Sequence, residues 1–148
     1  MFREAHAIWT GSPHAGEGTV STPSGVLADA NYAFGKLAEV PPCTTPCELL
    51  AAAIASCMSL LIALEMARSG MKPITVDTHA VLTLDNPADK WQITGGHLKI
   101  SARTGEGDRK RFEEAVEAAR RACPVSNALK LNLTYTTELI SLTASAVA

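Results

Sequence analysis

TPCELLAAAIASCMSLLIALEMARSG, running from Thr45 to Gly70, decides how the rest of the chain must fold. From Leu49 to Leu64 every residue is apolar or small apart from Ser56 and Ser59. Neither Gly nor Pro interrupts the run, so it reads as a helix over 45–70. Thr45 suits the N-cap, Pro46 the first helical position, and Glu48 completes a Thr-x-x-Glu capping box. Arg68 in the last turn and Gly70 just past it mark the other end. A helix apolar on every side must be covered on every side, by lipid or by protein. Sixteen residues lie between Glu48 and Glu65, against the roughly 20 that a bilayer span needs, and many of them are alanine. A central core helix is the expectation, with a partner subunit supplying the cover that a short chain lacks.

The whole chain has 148 residues, enough for one domain, 1–148, with its own hydrophobic core. A formal charge of −2 and a pI near 6.1 give no electrostatic case for nucleic acid or an anionic membrane surface. The N-terminus, Met1-Phe2-Arg3-Glu4-Ala5-His6, lacks the basic-then-apolar order of a signal peptide, which predicts a cytoplasmic protein. Four cysteines are too few for a disulfide scaffold and suit buried, catalytic or metal-binding roles.

Short strands fill residues 1–40: Ala5 to Thr10, Thr19 to Thr22 and Val26 to Phe34, joined by Gly- and Pro-containing turns. Trp9, Tyr32 and Phe34 read as packing residues. Strands also occupy 74–103. In the first of them Ile74, Val76, Ala80, Leu82 and Leu84 share one face; in the second, Trp91 to Arg103, Gly95-Gly96 predicts a bulge. Helices follow over 108–130. The first has an apolar stripe of Phe112, Val116, Ala119 and Cys123, and Pro124 breaks it before a short helix. A last strand over 131–140 alternates Leu131, Leu133, Tyr135 and Leu139 with polar residues, and the tail 141–148 is expected to be poorly ordered. Strands and helices without strict alternation predict an α+β fold whose mainly antiparallel sheet wraps the central helix.

Cys57 and Cys123 fall on core faces of two different helices. Both are readable as small buried hydrophobes. Three features favour a reactive pair. Ala55, Ser56 and Ser59 leave room around the Cys57 sulfur; Cys123 precedes Pro124 and so begins the next helix, where free N–H groups favour a thiolate; and a stabilised thiolate leaves readily in disulfide exchange. The chemistry this allows is a thiol peroxidase, in which Cys57 becomes a sulfenic acid that Cys123 condenses with.

The chain resembles the OsmC/Ohr family of hydroperoxide-reducing proteins, and its OsmC branch in particular. The resemblance rests on Gly16-Glu17-Gly18-Thr19-Val20-Ser21-Thr22 with Ser24-Gly25-Val26-Leu27, on Thr45-Pro46 through to Cys57, and on Cys123-Pro124-Val125-Ser126-Asn127-Ala128-Leu129-Lys130. It covers nearly the whole chain. It implies an intertwined homodimer with its sites at the subunit interface, Cys57 as the peroxidatic and Cys123 as the resolving cysteine. It also implies organic hydroperoxides as substrates, no haem, flavin or metal cofactor, and a dithiol reductant such as a lipoyl protein.

Two positions depart from the family pattern. The glutamate that directly follows the helix-opening proline is Cys47 here, and the arginine ten positions upstream is Leu37. Glu48 is one step along but turned about 100° around the helix, and is assigned to the cap. Lys36 and Arg3 are the alternative cations, although an ammonium lacks the planar fork of a guanidinium. These departures keep open a second reading, a non-catalytic dimeric thiol protein acting as redox sensor or binder of small apolar ligands. Cys43 and Cys47 are spaced C-x-x-x-C, but His6, His14, His79 and His97 show no ligand spacing that would complete a zinc site.

Overall fold

A computed structural model describes residues 1–34 and 42–142. The chain divides into two compact units, Met1–Leu50 and Ala51–Ala148. The expectations for Lys36, Leu37 and the tail from 143 onward lie outside the described residues.

In the first unit β1 (His6–Thr10), β2 (Glu17–Ser21) and β3 (Ala30–Tyr32) form an antiparallel sheet in that order. Gly18 pairs with Trp9 on one side and Tyr32 on the other, and their rings close over it with centroids 6.0 Å apart. A Cβ at Gly18 would lie 2.6 Å from the Tyr32 ring and 2.9 Å from the Trp9 ring, so only glycine fits. Gly18→Ala is expected to cost about 1–3 kcal/mol through overpacking, read as a lower midpoint in urea unfolding at unchanged slope.

The third strand is shorter than the expected Val26 to Phe34. Residues 22–29 close on themselves instead: Thr22 N–H donates to Leu27 O at 2.9 Å, Gly25 N–H to Thr22 O at 2.9 Å, and Asp29 N–H to Ser21 Oγ at 2.9 Å. Backbone groups spent in that turn are not available to a ladder. Downstream, the capping box forms as the sequence predicts. Glu48 N–H donates to Thr45 Oγ1 and Thr45 N–H to Glu48 Oε2, both at 3.1 Å, while Thr44 Oγ1 donates to the same carboxylate oxygen at 2.9 Å.

The helix that follows, α1 (Pro46–Arg68), has 23 residues and a mean hydropathy of 2.2 over its most apolar window, so in length and composition it matches a bilayer span. Its environment in the second unit is that of a core helix. Ile54, Met58, Ile62 and Met66 recur every four residues and are fully buried. Ser59 Oγ donates to Thr78 Oγ1 at 2.9 Å, pinning the helix to the sheet. One chain covers only that side: Leu60 stays 71% and Leu64 43% exposed.

The sheet of this unit runs β4 (Pro73–Asp85), β5 (Gln92–Thr104), β6 (Leu133–Ser141). β4 and β5 are antiparallel; β6 joins β5 in parallel because α2 (Arg109–Ala122) and α3 (Pro124–Leu129) supply the long crossover a parallel pair requires. Two bulges correct the strand reading. Ile74 has no partner between the Pro73–Thr104 and Thr75–Arg103 pairs, which turns it outward rather than onto the face of Val76 and Leu82. The bulge expected at Gly95-Gly96 falls one residue earlier, at Thr94, whose hydroxyl donates to Asp85 Oδ2 at 2.6 Å. The stripe on α2 lies as predicted, with Phe112, Val116 and Ala119 buried and Ala115 beside them, and it leads directly to Cys123.

Candidate active site

Two helices bring the sulfurs of Cys57 and Cys123 to 3.3 Å although 66 positions separate them in sequence. Cys57 sits on α1 three residues after Ile54 and directly before Met58, at the margin of the buried stripe, and is half-buried. Cys123 is fully buried. It ends α2 because Pro124 disfavours a helical conformation in the residue before it, and Cys123 accordingly takes an extended conformation, φ −67° and ψ 109°. That same turn makes it the N-cap of α3. Its sulfur accepts from Ser126 N–H at 3.5 Å and from Ser126 Oγ at 3.1 Å.

The two thiols are driven apart in acidity. Burial pushes the Cys57 thiol above its ordinary value, the adjoining Cys123 sulfur adds to the rise, and the Val125 N–H opposes it weakly. Burial also acts against a Cys123 thiolate. There it is outweighed by the Ser126 hydroxyl, the Ser126 N–H, the Cys57 S–H and the Val125 N–H, and the Cys123 thiol falls below its ordinary value. Either thiol can donate across the 3.3 Å contact, but with Ser126's two donors at Cys123 the first charge settles on Cys123 and the Cys57 S–H points to it. Among the described residues no lysine or arginine takes part in these shifts.

The other residues singled out by sequence lie elsewhere or serve the fold. The Glu48 carboxylate is held by the helix cap. Arg3 is exposed and donates to the Phe2 carbonyl at 2.9 Å. Cys43 and Cys47 are free and half-buried, Cys43 donating weakly to Thr44 O at 3.5 Å. His97 lies between the Thr134 and Thr136 hydroxyls, at 2.8 and 3.0 Å. Among the described residues no three His, Cys, Asp or Glu side chains gather into a metal-ligating group. Ser126 was not singled out by the sequence reading beyond its place in the matching motif. Its signal is positional: in Cys-Pro-x-Ser the fourth residue is the one whose N–H and hydroxyl reach back to a cap side chain. Ser126 also lines a surface groove of about 440 Å³ with Arg120, Arg121, Asn127, Lys130 and Tyr135, where the Arg120 guanidinium stacks 4.3 Å from the Tyr135 ring. Neither Cys57 nor Cys123 lines it.

Comparison with known proteins gives the family of the chain. A sequence profile described as OsmC-like protein matches residues 39–138. Peroxiredoxin OsmC of Escherichia coli K12 is 35% identical over 141 residues, which is 95% of this chain and 99% of that protein. Among solved structures, an OsmC-like protein from Mycoplasma pneumoniae superposes with a TM-score of 0.77 at 13% identity, over 95% of this chain and 98% of its own. The organic hydroperoxide resistance protein OhrB of Bacillus subtilis does so with a TM-score of 0.63 at 25% identity, over 92% and 97%. A profile match over most of the chain, a relative alignable end to end and a shared α+β architecture establish that the chain belongs to the OsmC-like family.

Proposed function

We propose that this protein is a cysteine-based reductase of organic hydroperoxides that cycles through a Cys57–Cys123 disulfide and is recycled by a dithiol. The observation that carries the reading is the 3.3 Å separation of two free sulfurs. A disulfide bond is about 2.0 Å long, so closure needs side-chain adjustment and no refolding. Kinship with proteins named for peroxiredoxin activity and for organic hydroperoxide resistance supports the substrate class.

Of the two thiols Cys123 is the one whose ionisation is favoured, and the cycle starts from its thiolate beside the Cys57 thiol. As a peroxide approaches the more accessible Cys57, the Cys57 proton passes to Cys123 and the Cys57 sulfur attacks the terminal peroxide oxygen. The O–O bond breaks, the alkoxide takes the proton from Cys123 and leaves as the alcohol, and Cys57 becomes a sulfenic acid. The Cys123 thiolate then attacks the Cys57 sulfur, and hydroxide leaves and is protonated by solvent. A dithiol returns two electrons. Cys123 thus acts as base before it acts as resolving thiol, a role suited to a site in which Leu37 and Cys47 stand where the family has its arginine and glutamate.

The active assembly in this reading is a homodimer, supported by the leucines that one chain leaves bare on α1. A cytoplasmic setting, with its supply of reduced dithiols, suits the cycle. Stoichiometric cumene hydroperoxide is expected to give one disulfide per chain. Peptide mapping by mass spectrometry should place it between Cys57 and Cys123, with Cys43 and Cys47 still alkylatable. Slow or unselective oxidation of all four thiols would instead favour the redox sensor, a reading that the raised Cys57 thiol keeps in play.

A further inference from the structure

We infer that Ser126 is a positioning residue that makes Cys123 the leaving sulfur, so that the reducing dithiol enters the disulfide at Cys57. The inference rests on the Cys57–Cys123 disulfide of the proposed cycle, and concerns which of its two sulfurs is attacked when it is reduced.

Thiol–disulfide exchange is an in-line displacement. The incoming thiolate needs access to one sulfur, and the other must carry away the electron pair. The two sulfurs differ in both respects. Within one chain Cys123 is fully buried and Cys57 is half-buried, so of the two sulfurs Cys57 is the one the chain itself leaves open to attack. The Cys123 sulfur has the Ser126 hydroxyl at 3.1 Å and the Ser126 N–H at 3.5 Å, so the developing charge is met by two donors already in place. Pro124 fixes the turn from which both are presented. The raised acidity of the Cys123 thiol has the same origin, with the Ser126 groups, the Cys57 thiol and the Val125 N–H outweighing burial.

The electron count closes as follows. One thiolate of the dithiol attacks Cys57 Sγ, a new S–S bond forms to Cys57, the Cys57–Cys123 bond breaks, and its electron pair leaves on Cys123 Sγ. The second thiol of the reductant then loses its proton, attacks the sulfur of its own partner and expels Cys57, which takes up a proton. The dithiol ends as a cyclic disulfide and the protein regains one thiol and one thiolate. Ser126 touches no reductant atom in this sequence; it acts through Cys123.

The test does not depend on peroxide turnover. Wild-type protein is oxidised with diamide, the Cys57–Cys123 disulfide is verified by peptide mapping, and 2-mercaptoethanol is added briefly before quenching with excess N-ethylmaleimide. Mass spectrometry is expected to find the mercaptoethanol adduct on Cys57 and the maleimide on Cys123. An adduct on Cys123 overturns the inference, whatever any variant does. Ser126→Ala is expected to slow reduction by dithiothreitol about five- to tenfold, the weight of one ordinary hydrogen bond because the charge on Cys123 is only partly developed in the transition state, and to move the onset of thiolate absorbance at 240 nm to higher pH. Ser126→Thr keeps the hydroxyl and should restore both. Unchanged reduction rate and unchanged titration in Ser126→Ala would also overturn it. Failure of wild-type protein to consume peroxide would remove the proposed peroxidase activity and leave these outcomes standing on their own.

Discussion

Cys57→Ser is expected to lower dithiol-dependent consumption of an organic hydroperoxide by at least on the order of a hundredfold, because a serine hydroxyl offers no accessible anion to attack the O–O bond. Cys123→Ser should fail differently. Its Cys57 can still reach the sulfenic acid, but no sulfur lies at 3.3 Å to condense with it, so without added dithiol consumption is limited to one equivalent, plus a second where excess peroxide carries Cys57 on to sulfinic acid. The pH profile separates the two duties of Cys123. In wild type the first proton leaves the pair below the ordinary thiol value, on the Cys123 side, and the rate of Cys57 oxidation should rise through that ionisation and then level off. In Cys123→Ser the same oxidation depends on Cys57 ionising alone. Burial, the largest cause of its upward shift, is still present, so the rate should be lower at neutral pH and keep climbing beyond the ordinary thiol range. Stopped-flow mixing with cumene hydroperoxide and mass spectrometry of the product check both. Equal consumption by wild type and Cys57→Ser would remove the assignment of Cys57 as nucleophile.

Local signals explain which parts of this protein were readable beforehand. The capping box at Thr45 and Glu48, the α2 stripe ending at Cys123 and the alternation of Leu133, Tyr135 and Leu139 in β6 each depend on residues a few positions apart and each formed, although β6 leaves Leu131 outside and takes in Ser141, expected in the tail. The misses are equally specific. Val26 to Asp29 have strand-compatible residues, but hydrogen bonds from Ser21 and Thr22 hold them in a turn. Ile74 is displaced by a bulge that leaves no mark in its own strand's pattern, whereas the bulge at Thr94 was announced by Gly95-Gly96 and missed only in its exact position, which the partner strand sets. For the candidate site, motif and helix position singled out Cys57 and Cys123, and what was not legible was their distance. A separation of 66 residues is bridged by α1 and α2 lying in the same core, and no periodicity reports that. Ser126 escaped notice because its part is played toward a sulfur, and capping rules are usually read for oxygen.

Leu60→Glu is expected to convert a dimer to monomer, with a loss of stability far larger than exposure in one chain would suggest. At 71% exposed, Leu60 is a position where a charge normally changes stability by no more than about 0.5 kcal/mol. Its neighbourhood argues otherwise. Leu64 lies one turn further along the same helix and is 43% exposed, so one side of α1 presents large apolar side chains while the opposite side, through Ile54, Met58, Ile62 and Met66, is fully buried. A helix apolar all round is stable in water only when both sides are covered. If a second copy covers the bare side, a glutamate at position 60 places an unpaired charge in a dry interface, at a cost of about 3–5 kcal/mol. Val26→Glu is the control, since Val26 is 85% exposed in the turn of residues 22–29 and should tolerate the change. Sedimentation velocity is expected to show wild type and Val26→Glu as dimers and Leu60→Glu as a monomer. The melting temperature should rise with protein concentration for the first two alone. A Leu60→Glu protein that sediments and melts like wild type would show that this side of α1 faces solvent, and the homodimer would have to be built on another surface.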